Sequence, residues 1–408
     1  HLSIRRQRQM CIRDRVLIAG GGIGGLAAAL ACARQGLPTQ LWERAAQLSE
    51  VGAGIQLGPN VTRILQAWGL SDALNQVAAF PESLQARDAR TGEVLGVLRL
   101  GARAQKRYGA PYVTLHRADL QGLLHDSAQA HGVDMKLGHA LQSWRALAEG
   151  LEVRSVEGDS TEADALIGAD GVWSAVRQQW RGDGPAPFTG HVAYRALLAQ
   201  ADLPLHLRSQ EITVWMGPRL HVVHYPVRGG EALNVVAIVQ AERPSLSQEW
   251  DAAGHAQALL QAMGARSGAV GKDLMARIEA VSGWRQWALH DRAPMASPLE
   301  MAEDRVALLG DAAHPMRPYL AQGAGMAIED ALVLSQCLAQ GQCRVSERLK
   351  TYAERRWSRN AQVQARAMRN GRIFHAQGWL ATGRNLSMRL MAERLMDVPW
   401  LYGQGPQP

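Results

Sequence analysis

The apolar positions of the chain group into a recognisable order of elements. Val16-Leu17-Ile18-Ala19 is a four-residue apolar run of strand type, and glycines follow it at once. Residues 26–35 then form an alanine-rich helical stretch stopped by Gly36, with Pro38 beyond. Thr39-Gln40-Leu41-Trp42 is a second strand that ends at Glu43, so a strand, turn, helix, strand unit of the parallel kind is predicted. Residues 51–57 read as glycine-broken loop and residues 60–68 as a helix with Gly69 past its end. Apolar and polar positions alternate through 80–115 around a turn at Thr91-Gly92, and 118–131 is a helix ended by Gly132. Residues 151–156 and 163–167 bring the chain back to a sheet. From about 188 to 300 the texture is β-rich, with strands at 212–215, 220–227 and 233–239 and a break at Arg228-Gly229-Gly230. A strand at 305–309 follows, and from Gly325 to about Leu395 the pattern is almost entirely helical.

With 408 residues, of which 47% are hydrophobic, the chain can bury a core of two-domain size. Its formal net charge of +7 owes much to residues 1–15, where five arginines stand against Asp14. That segment has no apolar periodicity and no signal-peptide core, and it reads as a disordered tail or a scar foreign to the fold. The remainder is only mildly basic, which suits an anionic small molecule and argues against a nucleic-acid partner. Cys11, Cys32, Cys337 and Cys343 show no metal-ligand spacing, so no metal is expected and free thiols in a cytoplasmic protein are. The longest apolar run, 16–33, is broken by glycines, so no membrane span is expected.

Three signatures carry the chemistry. In Gly20-x-Gly22-x-x-Gly25 the backbone turns tightly, comes close to a pyrophosphate and packs a helix on a strand, with the helix N-terminus facing the anion; Ile23 and Gly24 complete the loop. Glu43, at the end of the second strand, is the acid such a loop requires for a ribose hydroxyl, with Arg44 beside it. This unit alone leaves NAD and FAD open. Farther on stand Asp170-Gly171 within 168–177 and Gly310-Asp311 within 308–318.

These two segments, together with Leu115-His116-Arg117-Ala118-Asp119-Leu120, resemble the motifs of the single-component flavoprotein aromatic hydroxylases, a group that includes 3-hydroxybenzoate 6-hydroxylases, salicylate hydroxylases and 6-hydroxynicotinate 3-monooxygenases. The resemblance runs from Val16 to Gly403. It implies an α/β fold: a Rossmann-type FAD-binding domain with an inserted β-rich substrate domain and a helical C-terminus. The expected division is a tail at 1–15, the first part of the FAD domain at 16–187, the substrate domain at 188–300, and completion of the FAD domain with C-terminal helices at 301–408. FAD is the implied cofactor, with NADH or NADPH as transient co-substrate. Glu43 would hold the adenosine ribose, Arg117 would lie near the flavin, Asp170 would serve flavin and pyridine nucleotide, and Asp311 would hold the ribityl chain. Pro318 to Ala324 would pass the isoalloxazine ring, whose N1 and O2 edge would meet backbone N–H groups near Gly323 and Ala324. The implied reaction is hydroxylation of a small phenolic or hydroxypyridine carboxylate with O2, through a flavin C4a-hydroperoxide, by a monomer or homodimer.

Activation of the ring calls for a group that draws the phenolic proton. In the strand at 220–227, period-two alternation puts His221, Val223 and Tyr225 on one face and turns His224 away. In the resemblance a His and a Tyr at this spacing stand beside substrate, so His221 and Tyr225 are the catalytic candidates. Pro318 stands where 3-hydroxybenzoate 6-hydroxylases tend to have Gln, and the 316–326 segment looks closer to the 6-hydroxynicotinate and salicylate side. Gln56 stands where 6-hydroxynicotinate enzymes have His. His314 reads as an organiser of the flavin loop, Tyr194-Arg195 as either a ligand contact or an ion pair, and the basic stretch 348–372 as a solvated helix face. A flavin-binding scaffold without turnover, or a flavin oxidoreductase of the same fold with another substrate class, remains the alternative.

Overall fold

The computed structural model describes residues 14–48, 53–242, 252–254, 256–263, 270–281, 283–341 and 343–408. A six-stranded sheet has the order Ala302–Glu303, Val306–Leu308, Ala165–Gly168, Val16–Ala19, Thr39–Glu43, Asp134–Leu137. Its neighbours are parallel apart from the terminal 302–303 pair. Every residue of Val16–Ala19 and of Ala165–Gly168 is buried, as expected of strands covered on both faces. Helix Ile23–Arg34 crosses from the first strand to the second and packs against helix Gly323–Leu338. Small residues bring these helices close: a Cβ on Gly24 would stand 2.9 Å from a Leu309 methyl and 3.2 Å from the Ala327 Cβ.

A second layer is an eight-stranded sheet in the order Ala252–Gly254, Trp284–His290, Phe188–Ala199, Ala232–Gln240, Leu220–Val227, Ile212–Gly217, Ser83–Asp88, Val94–Arg99. One face, with Trp215, Leu220, Val222 and Val235, packs on helices Ala256–Ala262 and Lys272–Glu279 through Leu259, Leu274 and Ile278. The other face carries His221, Val223 and Tyr225 towards the first layer. The long helix Val345–Phe374 and helix Gly378–Met396 close the molecule, the latter lying against strand Val94–Arg99.

Several expectations change. The substrate-covering sheet is not confined to 188–300, because Ser83–Asp88 pairs in parallel with Ile212–Gly217 and brings Val94–Arg99 with it. A local reading of periodicity has no access to a partner strand more than a hundred residues away. Residues 54–57, expected in a loop, form strand Gly54–Leu57, paired antiparallel with Val113–His116; residues 51 and 52 lie outside the described residues. The first helix begins at Ile23, inside the glycine loop. Residues 1–13, including Cys11, also lie outside the described residues, but Asp14 and Arg15 belong to the fold. Arg15 N–H donates to Asp164 Oδ2 at 2.8 Å, and Asp14 pairs with Arg348. The cysteines described, Cys32, Cys337 and Cys343, are free thiols.

The helix at 348–372 is not simply a solvated face, since Arg348 and Arg356 are 5% and 2% exposed. Arg356 donates to Glu329 Oε2 at 2.9 Å and to Asp330 Oδ1 at 2.7 Å, and Arg359 Nε donates to Glu329 at 2.7 Å. Asp330 also receives His314 Nε2 at 2.6 Å and Asn360 Nδ2 at 2.9 Å. Burial alone would raise the Asp330 pKa, but the His314 ring and Arg356 guanidinium pull it down to about 2. Part of the basic stretch expected to be a solvated face is thus a buried lattice locking helix Val345–Phe374 to helix Gly323–Leu338.

Removing one partner from such a lattice leaves an uncompensated buried charge, so Arg356→Met is expected to cost about 3–5 kcal/mol in urea unfolding. Because the folded-state pKa of Asp330 is lowered, its contribution is present above the unfolded carboxyl value, about 3.9, and is lost as pH falls towards 2. Acid unfolding below pH ~4 is therefore expected to separate wild type from Asp330→Asn, measured by circular dichroism.

Candidate active site

The glycine loop forms because the first strand must turn over the end of strand Ala165–Gly168. Gly20 has φ +110, and a Cβ there would overlap the Ala169 carbonyl; a Cβ on Gly25 would overlap the Gly20 carbonyl. Neither residue lines the central cavity, so their part is close packing. Gly22 behaves differently: no atom lies within 4 Å of its Cβ position, yet it lines the cavity with Ile23 and Gly24. The room left at Gly22, at the N-terminus of helix Ile23–Arg34, fits a pyrophosphate.

Glu43 holds the loop from the next strand. Its Oε2 accepts Gly21 N–H at 2.5 Å and its Oε1 accepts Ala45 N–H at 2.8 Å. Arg44 is exposed and does not line the cavity. Asp170 is also absent from the lining; its Oδ2 accepts the N–H groups of Ala175 at 2.7 Å and Val176 at 3.2 Å, at the start of helix Ala175–Arg181. Burial raises its pKa against those hydrogen bonds.

The cavity of about 360 Å³ runs between the layers. Of the residues singled out from the sequence, Gly22, Ile23, Gly24, Arg117, His221, Tyr225, Gly310, Asp311, Pro318, Gly323 and Ala324 line it together. Arg117 opens helix Arg117–Ala130, its N–H donating to Ala53 O at 2.9 Å. Asp311 projects into the cavity, where its surface is accessible, while the surrounding walls still raise its pKa by desolvation against the pull of His314 and Arg117. Gly323 and Ala324 start helix Gly323–Leu338, so its first N–H groups and positive dipole end face the same space. Ala321, just before, adopts φ +53, the left-handed region, which turns the chain from the 318–320 segment into the helix. His314 is fully buried on Asp330, an organiser of the Gly310–Asp311 turn, as expected.

On the opposite wall, His221 and Tyr225 are 3% and 4% exposed. They flank Val223 about 13 Å apart along the strand at 3.3 Å per residue, so each meets a different part of an occupant. Burial holds the His221 imidazole well below its usual pKa, with His375 and His191 adding to the effect. Burial raises the Tyr225 phenol, against Arg117 and Gln56. His224 faces the other side, among Thr213, Trp215 and Arg277, as alternation predicted. A second, largely apolar cavity of about 600 Å³ lies between the sheet and the C-terminal helices, and the two share Gln56, His221, Val223, Pro318 and Ala321.

Sequence reading missed several residues here. Gln56 was noted only as a departure, but it lies in strand Gly54–Leu57, lines both cavities and accepts Tyr112 O–H at 2.8 Å. Trp287 and His375 complete the walls or back them, while Tyr319, inside the 318–324 segment expected at the site, lines the second cavity; Arg195 stacks its guanidinium 5.0 Å from the Trp287 ring. No local motif announces Gln56, Trp287 or His375 as site residues, since they come from three distant segments.

Residues 13–370 match the family described as FAD binding domain. The chain belongs to this FAD-binding family. It is 38% identical over 396 residues to the 3-hydroxybenzoate 6-hydroxylase of Polaromonas naphthalenivorans, covering 95% of each. It is 33% identical over 380 residues to the 6-hydroxynicotinate 3-monooxygenase of Pseudomonas fluorescens, covering 91% of this chain and 93% of the relative. In fold it is similar to Klebsiella pneumoniae HpxO complexed with FAD and uric acid, at TM-score 0.84 and 24% identity over 97% of this chain and 98% of that one. The family's cofactor is FAD, and the relatives place this chain among the FAD-dependent monooxygenases. Identity is higher to the 3-hydroxybenzoate relative than to the 6-hydroxynicotinate one, the reverse of the leaning that residues 316–326 suggested.

Glu43 anchors the loop through Gly21 N–H and Ala45 N–H, so Glu43→Ala is expected to weaken FAD binding about 10- to 100-fold, the worth of a charged hydrogen bond. Arg44→Ala, at an exposed position, is expected to keep near wild-type affinity. Flavin fluorescence titration of apoprotein measures both, and full FAD retention by Glu43→Ala contradicts the assignment.

Proposed function

We propose that the protein hydroxylates a small phenolic or hydroxypyridine carboxylate, using FAD, O2 and NADH or NADPH. The observation that carries this reading is the placement of His221 and Tyr225 on the wall that faces the glycine loop, Arg117, Asp311 and the Gly323 helix start across one cavity. On this reading Glu43 and the 20–25 loop hold the adenosine and pyrophosphate half of FAD, Asp311 holds the ribityl chain, and Arg117 and the 318–324 segment border the ring. Bound FAD supplies the chemistry that takes an oxygen atom from O2 at the expense of the nicotinamide.

The remaining work falls to the chain. The substrate ring lies against Val223 near the wall shared by the two cavities, between His221 and Tyr225. His221, kept neutral by burial, accepts the phenolic proton and makes the ring carbon nucleophilic. Tyr225, kept protonated, donates a hydrogen bond to the other end of the substrate. Apolar walls from Val236, Ile238 and Trp287 exclude water from the reacting atoms. The mildly basic surface favours a carboxylate substrate.

A screen of phenolic and hydroxypyridine carboxylates, following NAD(P)H oxidation against hydroxylated product, is expected to find one acid that stimulates both together. Bound flavin with no product from any acid favours the scaffold alternative. With the acid found, His221→Ala is expected to slow hydroxylation about 10²- to 10⁴-fold and Tyr225→Phe to slow it less, each with unchanged FAD content. Unchanged coupled turnover in both variants contradicts the assignment of these residues.

A further inference from the structure

On the reading proposed above, the phenolic hydroxyl of the substrate must lose a proton in a pocket where charge is poorly tolerated, and the structure offers a path for it. His221 Nδ1 lies 2.8 Å from His375 Nε2, a hydrogen bond between side chains 154 residues apart in sequence. His375 ends the long helix Val345–Phe374, and its backbone is held on both sides: its N–H donates to Gly371 O at 3.1 Å, and its carbonyl accepts Arg219 N–H at 3.2 Å. Arg219 directly precedes strand Leu220–Val227, so the helix end is tied to the hairpin that presents His221. His221 is buried and lines both cavities, whereas His375 is half-buried. With Nδ1 engaged by His375, Nε2 is the His221 nitrogen left for a substrate.

We infer that His375 is the proton outlet of the site, a positioning residue that acts through His221 and touches no substrate. The inference rests on the reading of His221 as the group that takes the phenolic proton. His221 begins as the Nδ1–H tautomer. Its Nε2 takes the proton as the phenolic O–H breaks; its Nδ1–H passes to His375 Nε2; the His375 Nδ1–H passes to water. Substrate is left as phenolate, both imidazoles end neutral, and one proton enters the solvent. No nucleophile or redox partner is required.

The surroundings favour passing a proton over storing it. The groups around the pair are His191, whose ring centroid is 5.2 Å from that of His375, and Tyr319, at 5.0 Å from His221 and 5.7 Å from His375. Arg317, paired with Asp291 at 2.6 Å, and Arg384 act on them from the outside. Burial, with His191, Arg317 and Arg384, holds His375 down to about 3. A cation on either ring is thus disfavoured at neutral pH, while a neutral relay is not.

Two measurements on the FAD-loaded enzyme test the outlet. The first needs no ligand: nitrogen-15 shifts of the His221 ring are expected to report Nδ1–H in wild type and to lose that fixed tautomer in His375→Phe. A fixed Nε2–H tautomer in wild type overturns the proposal. The second mixes enzyme with 3-hydroxybenzoate, or with the acid selected by the screen, and follows phenolate absorbance by stopped flow across pH. His375→Phe, which fills the ring's place, is expected to slow phenolate formation at neutral pH by about tenfold or more, and His375→Ala, which leaves room for an added ring, to be slowed likewise with recovery on adding millimolar imidazole. A slowed His375→Ala variant that imidazole does not rescue indicates a packing role and overturns the outlet. If His375→Phe keeps the wild-type rate and pH profile while His221→Ala is slow, the outlet fails and the reading of His221 stands. If His221→Ala is also unchanged, both fail.

Discussion

The site depends on one close approach: the carbonyl of Ala169, at the end of a central strand, occupies the space where a side chain on Gly20 would have to be, and the carbonyl of Gly20 occupies that of Gly25. Only a chain without side chains at both positions can turn from strand Val16–Ala19 into helix Ile23–Arg34 there. That turn brings the helix N-terminus to the cavity, places Gly21 within reach of Glu43, and lets the helix lie on Gly323–Leu338. The second helix in turn presents its own N-terminus to the same cavity. Two positive helix ends, set by a few glycines and alanines, therefore converge on one cavity, an arrangement that suits an elongated anion.

The second constraint is the lattice of Glu329, Asp330, Arg356, Arg359, Asn360 and His314. It fixes helix Val345–Phe374 against helix Gly323–Leu338, and so fixes where the long helix ends. That end carries His375 to His221 and the Phe374 ring to 5.3 Å from it. The same ionic network that stabilises the turn at Gly310–Asp311 through His314 also determines what stands behind the proposed base. The wall that carries Gly310 and Asp311 and the wall that carries His221 are thereby held by one framework.

Much of this was legible locally. The first strand and helix, Glu43, the Gly310–Asp311 turn and the C-terminal helices follow from runs and punctuation a few residues long. The division of the strand at 220–227 into a His221, Val223, Tyr225 face and a His224 face follows from a period of two. Strand Gly54–Leu57 escaped notice because its pairing with Val113–His116 supplies the order that its glycines conceal. The recruitment of Ser83–Asp88 into the larger sheet, beside a strand that follows more than a hundred residues later, escaped for the same reason.

The sequence by itself determined the α/β class, the order of the nucleotide-binding signatures and the face on which the two candidate side chains stand, because each rests on steric and periodic rules acting over a few residues. Tertiary structure alone decided which of them meet. It withdrew Asp170 and Glu43 from the cavity lining into helix capping and loop anchoring, buried Arg348 and Arg356 where charge periodicity suggested solvent, and joined Gln56, Trp287 and His375 to the site. Such outcomes depend on contacts between segments far apart in the chain, whose geometry is set only when both layers pack.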